Sequence, residues 1–401
     1  MGKESIMKSG SVYLDNCVTS PMAPEVLQAM LPYFSERFWF PGSFYSTAES
    51  TNEALSGFAH TIAEAIGAHA DEIHFTAGGT IANNIAIKGI AGAAKKGHVI
   101  CSVVDYPDLL TNAAWLEKQG FEVSYLSADS EARIDLAALK QAIRPDTFLF
   151  MTTIVNHVVG TIQPMKEISE ILKAADHKIY LHADAGQAFG KMPLAVDDYG
   201  IDTMSISAHK IHGPQGIGAL YLRKGVRVAQ TIHGIKRADN LQPGGLSIAL
   251  IAGFAKAVEL NFADLLGSIR QLRELSDYLY ERLLEKIDHI ELNGPQGEGR
   301  APHNINVSID YIEGESIAMM LDMHGITVAT GSACASQGLK ASYVLMAIGK
   351  NHVQSHGSMK FTLSRYNTKA QIDFTVEKLA EITAELRKRS PLYNAIKNQE
   401  K

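Results

Sequence analysis

The sequence predicts an α/β fold built on a mainly parallel sheet, and three observations carry that prediction. Strand-like and helix-like segments alternate along most of the chain. The strand-like segments are continuous apolar runs without alternation, as in a sheet covered on both faces. The chain has 401 residues, enough for a large domain plus a smaller one.

In chain order, Glu53 to Ile66 has the period of an amphipathic helix. Glu72 to Thr76 is a short strand, and Gly78-Gly79-Thr80 opens a helix running through Lys88. His98–Val104, Phe148–Ile154, Lys178–Ala183 and Thr203–Ser207 are apolar strands, and Gly218–Leu222 follows a Gly/Pro-rich turn. After Gly244-Gly245 the character changes: Ser247 to Leu284 is long, helix-rich and charged on one face. Short strands follow at Asn304–Ser308 and Thr327–Ala329, then a helix over Lys369–Arg389. A domain boundary falls near residue 260. No internal repeat, coiled coil or low-complexity stretch interrupts the pattern.

Composition excludes several classes. At 46% apolar and 20% charged residues the chain is globular. A net charge of -6 offers no general field for nucleic acid or an acidic membrane. No signal peptide or bilayer-length apolar run is present, and the polar, lysine-bearing Met1 to Gly10 reads as a loose end. Cys17, Cys101 and Cys334 form neither metal-ligand spacing nor a disulfide framework, which fits a reducing, cytoplasmic compartment.

The chemistry concentrates in His182-Ala183-Asp184-Ala185-Gly186-Gln187 and Ser205-Ile206-Ser207-Ala208-His209-Lys210. Both follow predicted strands, where open α/β sheets place their ligands. Pyridoxal phosphate (PLP) explains the residue types. A lysine amine forms an imine with the cofactor aldehyde, and a carboxylate beside the pyridine nitrogen keeps that nitrogen protonated, so the ring can accept electrons. Lys210 suits the first role and Asp184 the second. Alone, a strand-end Asp is more often a helix cap and a Lys a solvated charge; together, between an apolar strand and the Gly213-Pro214-Gln215-Gly216 turn, they are more specific. Ser207 and His209 could orient the lysine or hold phosphate. Gly78-Gly79-Thr80 has the geometry for a phosphate at a helix N-terminus, against the blander reading of an N-cap. The glycines at 213 to 218 read as a structural turn, since no helix follows and no Walker lysine is present. His209 and His212 are three apart, but a Gly-Pro turn follows and no acidic partner shares the spacing, so no metal site is expected.

The region around Lys210 resembles the PLP-lysine segment of the class V aminotransferases, and within them the cysteine desulfurases of the NifS/IscS type. The similarity covers almost the whole chain. Tyr13-Leu14-Asp15-Asn16, Phe75-Thr76-Ala77-Gly78-Gly79-Thr80 with Asn83-Asn84, Glu313-Gly314-Glu315-Ser316 and Ser342-Tyr343-Val344-Leu345 match family landmarks. Thr330-Gly331-Ser332-Ala333-Cys334 resembles the catalytic-cysteine loop. The resemblance implies PLP fold type I, with a mainly parallel seven-stranded sheet in the large domain and a smaller C-terminal α+β domain. Residues 1–17 would be an N-terminal arm joining the small domain, 18–260 the PLP-binding domain, and 261–401 the small domain carrying the cysteine loop. Lys210 would hold the cofactor, Asp184 the pyridine nitrogen and Gln187 the ring hydroxyl. Thr80, Ser207, His209 and the Gly79 amide would hold phosphate. Cys334 would be the nucleophile that takes sulfur from bound cysteine as a persulfide. A homodimer and a sulfur-acceptor protein are implied as partners, and iron–sulfur cluster biogenesis as a setting. For Cys101, in an apolar strand, a buried thiol is the expectation; Cys17 lies near the site with no assigned role.

Several positions depart from the family. Tyr106 stands where the family has a histidine over the ring; tyrosine can stack, but with an ordinary pKa of about 10 it is a poor proton shuttle. Paired asparagines before a glutamate become Asn156-His157-Val158, which leaves His157 to replace a hydrogen bond or to supply the missing imidazole. Asn156 and Lys360 face substrate in this alignment, Lys360 replacing an arginine and losing its two-pronged grip on a carboxylate; Arg365 is close in sequence. An Arg-Ser-Gly-Thr stretch that reaches the partner's phosphate becomes Gln242-Pro243-Gly244-Gly245. Three activities therefore stand: conversion of L-cysteine to L-alanine with persulfide on Cys334; a PLP-dependent C–S lyase or aminotransferase-like enzyme on another sulfur or selenium amino acid; and a low-turnover sulfur-relay protein.

Overall fold

The computed structural model describes residues 11–41, 43–234, 241–245, 247–331, 341–391 and 393–395; Met1 to Gly10 and Cys334 lie outside them. The strands are β1 (Val12–Tyr13), β2 (Ile73–Thr76), β3 (His98–Ser102), β4 (Glu122–Leu126), β5 (Thr147–Thr153), β6 (Tyr180–Asp184), β7 (Thr203–Ser207), β8 (Gly218–Leu222), β9 (Ile290–Leu292), β10 (Asn304–Ile309), β11 (Ile326–Thr327), β12 (Ala329–Thr330) and β13 (Ser358–Thr362). The helices are α1 (Pro24–Met30), α2 (Pro32–Ser35), α3 (Ser46–Glu64), α4 (Gly79–Ala94), α5 (Pro107–Lys118), α6 (Leu136–Ala142), α7 (Met165–Lys173), α8 (Ile248–Phe262), α9 (Leu265–Lys286), α10 (Gly314–Met323), α11 (Tyr343–Ala347), α12 (His352–His356) and α13 (Lys369–Arg389).

Among the described residues, seven strands form one sheet in the order β2-β8-β7-β6-β5-β3-β4. The strands β7, β6, β5, β3 and β4 run parallel, and β8 lies antiparallel to both its neighbours. The central strands β3 and β7 are buried at every residue, because helices cover both faces and no position can be spent on water. The fold is therefore the α/β class the sequence predicts, with a mainly parallel seven-stranded sheet.

A second sheet, β12-β13-β10-β9, is antiparallel and packs its own core of Leu275, Leu279, Val307, Phe361, Val376 and Leu379. The N-terminal segment joins the two bodies. β1 pairs with β11, and Val12 and Leu14 belong to the second core. Further on, the Asn16 amide donates to Thr362 O at 2.8 Å, while Ser20 donates to His209 O and its oxygen accepts the His212 N–H at 2.7 Å. One short strap thus ties the second sheet to the turn that carries Lys210.

Element ends differ from the sequence reading for local reasons. The strand expected to reach Val104 stops at Ser102, where the Asp105 carboxylate accepts the Ser102 N–H at 2.7 Å and turns the chain. The long Ser247–Leu284 segment is two helices, since Asp264 breaks the run and caps α9 through Gly267 N–H at 3.0 Å. The strand expected over Thr327–Ala329 is two: β11 pairs with β1 and β12 with β13. β4 was not foreseen, because it is an edge strand with an exposed, weakly apolar face.

Gly218 is the point where three strands meet the loop before α4. A Cβ there would lie 2.4 Å from Ile206 O and 3.0 Å from the Gly78 backbone, and neither can give way. Gly218→Ala is expected to lower stability by about 1–3 kcal/mol, read as a fall in the urea midpoint at an unchanged slope.

Candidate active site

The carboxyl ends of the parallel strands open on one cleft of about 660 Å³. Its walls include Gly79, Thr80, Tyr106, His157, Asp184, Gln187, Ser207, His209, Lys210 and Lys360. Segments 131 residues apart, from Gly79 to Lys210, thus meet because sheet topology brings their strand ends together.

Asp184 ends β6 with both oxygens committed. Oδ2 accepts from the Asn83 amide at 2.8 Å, and Oδ1 accepts from Gly186 N–H at 2.8 Å. Asn83 Oδ1 in turn meets His182 Nε2 at 2.9 Å, and His182 Nδ1 meets Thr203 Oγ1 at 2.9 Å. Since the Asn83 amide group faces the carboxylate, its oxygen must accept; His182 therefore carries its proton on Nε2 and accepts from Thr203. Burial lowers the His182 pKa to about 4, despite the opposing pull of Asp184.

Lys210 sits in the short turn after β7, its Nζ 5.1 Å from the Tyr106 ring centroid. Gly79 begins the 16-residue helix α4 and donates its N–H to Ser207 Oγ at 3.1 Å. A Cβ at Gly79 would lie 2.5 Å from that oxygen, so the corner is shaped for a backbone donor at close range. His209 lines the cleft with its pKa lowered to about 4 by burial first, then by Lys210 and Lys191. Gln187 donates to Cys17 O at 2.8 Å and faces His303 Nε2 at 3.4 Å. Lys360, on β13, brings a buried positive charge from the second sheet.

Not every expected residue arrives. Asn156 is buried and outside the cleft lining: its amide donates to Val104 O at 2.9 Å, and its oxygen accepts the N–H groups of Val158 and Val159 at 2.9 and 3.0 Å. The side chain folds its own loop. Gln242 accepts the Ala77 N–H at 3.2 Å within the same chain. Arg365 donates to Leu260 O at 2.8 Å and also does not line the cleft. Cys101 is buried in β3 with its pKa pushed well up by burial, as an inert thiol should be.

Asp108 and Lys191 were not picked out from sequence, whereas Cys17 arrives where the resemblance puts it. Asp108 lines the cleft, takes hydrogen bonds from Thr80 and Asn83, and has its pKa raised by burial above all; its Pro-Asp context reads as an ordinary helix start. Lys191 is buried without a hydrogen-bond partner among the described residues, and burial brings its pKa down to about 7. Cys17 lines the cleft, its Sγ donating to Asp15 Oδ1 at 3.4 Å.

The donor set fits PLP. An amine and a fixed carboxylate face one cavity, an aromatic ring forms a wall, and a helix N-terminus with hydroxyls forms a phosphate corner. Among the described residues no helix is long and apolar enough to cross a membrane, and no cluster of three or more His, Cys, Asp or Glu could hold a metal.

The profile of the aminotransferase class-V family matches residues 12–374. The chain is 44% identical over 382 residues to a cysteine desulfurase IscS of Dictyoglomus turgidum, covering 95% of this chain and 96% of that one. It is 43% identical over 393 residues to a cysteine desulfurase IscS of Methanosarcina thermophila, covering 98% and 96%. Among solved structures, a NifS-like protein superposes with a TM-score of 0.88 at 29% identity, covering 94% of this chain and all of that one. SspA in complex with cysteine superposes with a TM-score of 0.79 at 31% identity, covering 89% of this chain and all of that one.

The neutral histidine at position 182 makes a pH prediction. Its pKa falls from 6.5 in the unfolded chain to about 4 in the fold. Between those values the unfolded chain carries a proton that the folded one refuses, so stability drops as the pH falls through this window. His182 alone contributes a slope of about 1.4 kcal/mol per pH unit. His182→Gln should show a shallower decline by that amount in urea titrations across the window; an unchanged slope would mean the imidazole is already charged.

Proposed function

The chain belongs to the aminotransferase class-V family, and on that premise we propose that it is a PLP-dependent cysteine desulfurase, converting L-cysteine to L-alanine and leaving the sulfur on Cys334 as a persulfide. The observation that carries the reading is the meeting of Lys210, Asp184 and the Gly79–Ser207 corner in one cleft, in a chain whose full-length relatives are cysteine desulfurases.

When bound, PLP supplies an electron sink for the substrate carbon. The residues of this chain do the rest. Lys210 would hold the cofactor, and its amine would move the proton at the substrate Cα. Asp184, held by Asn83 and Gly186, keeps the ring nitrogen protonated. Tyr106 forms the stacking wall, and the Gly79 N–H, Thr80, Ser207 and His209 form the phosphate corner. Gln187, now donating to Cys17 O, is the neighbour for the ring hydroxyl. Lys360 supplies positive charge for the substrate carboxylate. The Cys334 thiolate then attacks the substrate sulfur: an S–S bond forms as the C–S bond breaks, the electron pair remains with the carbon fragment, and a proton from Lys210 completes the alanine methyl group.

On the same reading, residues 1–17, 18–260 and 261–401 act as arm, cofactor-binding body and sulfur-carrying body. A second copy of the chain is the expected partner. The exposed apolar run Leu31, Phe34, Phe38, Phe40, Phe44 and Tyr45 is a surface such a copy would cover. A sulfur-acceptor protein and a cytoplasmic setting complete the proposal.

L-cysteine and L-selenocysteine should each give alanine with sulfide or selenide in reductant. Pyruvate and ammonia instead would mark a C–S lyase, and a keto-acid requirement a transaminase. Cys334→Ala should keep the cofactor absorbance and lose persulfide, while Lys210→Ala should lose the imine absorbance itself. Normal turnover by the Cys334 variant would overturn the sulfur-carrier role.

A further inference from the structure

We propose that Tyr343 and His157 form a positioning contact that fixes the base of the Cys334-bearing segment against the cofactor cleft, so that sulfur transfer depends on it while proton movement at Lys210 does not. This inference rests on the desulfurase reading above.

Tyr343 begins α11, nine positions after Cys334 in the sequence. That short helix packs against the large sheet body: Val344, Leu345 and Ile348 cluster with Val104, Val158 and Val159. The Tyr343 hydroxyl donates to Asp105 O at 2.6 Å. With that proton committed, the phenol oxygen is an acceptor toward His157 Nε2, 3.3 Å away. The contact therefore selects the Nε2–H tautomer of His157.

His157 is suited to hold that tautomer. It is 3% exposed and lines the cleft. Burial, then the charges of Lys360 and Lys210, hold its pKa well below the usual imidazole value, so it stays neutral. Its Nδ1 is a buried polar atom with no hydrogen-bond partner among the described residues. The ring meets Tyr106 edge-on, centroids 4.9 Å apart at 84°, and the Tyr106 ring lies under Lys210 Nζ. Contacts thus run unbroken from Tyr343 to the cofactor lysine.

The described flanks of the cysteine segment are anchored on the opposite side as well. Gly331 N–H donates to Ser358 O at 3.2 Å, and Ser342 N–H donates to Ser355 Oγ at 2.8 Å. Those bonds fix one flank to β13 and the other to α12; the Tyr343–His157–Asp105 contact fixes the second flank to the cleft as well. A nucleophile must arrive within a fraction of an ångström of its target, so loosening one anchor costs rate at that step alone.

Tyr343→Phe is the discriminating variant, since it keeps the ring and its packing and removes only the hydroxyl. We expect unchanged PLP affinity, unchanged Lys210-dependent exchange of the substrate Cα hydrogen with deuterium, and a fall of about tenfold or more in persulfide formation on Cys334. His157→Phe should lose persulfide formation to a similar extent, and the double variant no further. In the cofactor-free protein, nitrogen-15 NMR should find His157 purely as the Nε2–H tautomer, and as a tautomer mixture in Tyr343→Phe. Persulfide formation at the parental rate in Tyr343→Phe, or a parallel loss of exchange and cofactor affinity, overturns the positioning role. A parent protein that makes no alanine from cysteine instead overturns the desulfurase reading.

Discussion

The polar chain from Thr203 through His182 and Asn83 to Asp184 is the constraint on which the site depends. It is buried between the large sheet and α4, where water cannot substitute for a missing partner. Each member has one permitted orientation. Thr203 donates to His182, His182 donates to Asn83, and Asn83 donates to Asp184. A second proton on His182 would face the Thr203 oxygen, which already uses its own hydrogen, so burial and network agree in keeping the ring neutral. The carboxylate at the end is fixed in position and remains an acceptor. A site that must hold an aromatic nitrogen at one point gains direction from such a rigid support.

The second constraint is the seam between the two bodies. The segment from Val12 to Ala23 pairs with β11, bonds to Thr362 of the second sheet, and then bonds to the Lys210 turn. Lys360 reaches the cleft from β13, close enough in charge to stabilise the Asp15 carboxylate against burial. The cleft is therefore built by both bodies, and its substrate end is set by how the second sheet sits on the first. This is where the chain departs from its family pattern. The cofactor end, built from the large sheet, keeps Lys210, Asp184 and the Gly79–Ser207 corner, while Tyr106 replaces the family's histidine in its wall.

Much of this was legible in the amino-acid order. Asp184 and Lys210 could be paired because both follow apolar strands, and strand order in a parallel sheet brings such ends together. Gly79 was legible because a strand, two glycines and a helix leave few geometries. The reading failed where tertiary partners decide. Asn156 looked like a substrate ligand, yet the Val104 carbonyl and two backbone N–H groups, distant or hidden in one-dimensional order, claim its amide. Asp108 carries the ordinary marks of a helix start, and only the fold turns it toward Thr80. β4 has an exposed face and too little apolar pattern to declare itself.

The placement of Tyr106, His157 and Lys360 together narrows how protons can move in the cleft. A phenol with an ordinary pKa near about 10 is a poor acid or base at neutral pH. His157 is buried beside Lys360 and Lys210, and gaining a proton would place a third positive charge there without water to disperse it. Neither ring is thus suited to hold a transferable proton. Lys210 lines the same cleft beside Asp184 and Asp108, its amine over the Tyr106 ring. Under the proposed function, the proton chemistry then falls to Lys210. The two aromatic side chains then serve geometry, one as a flat wall and the other as the brace behind it.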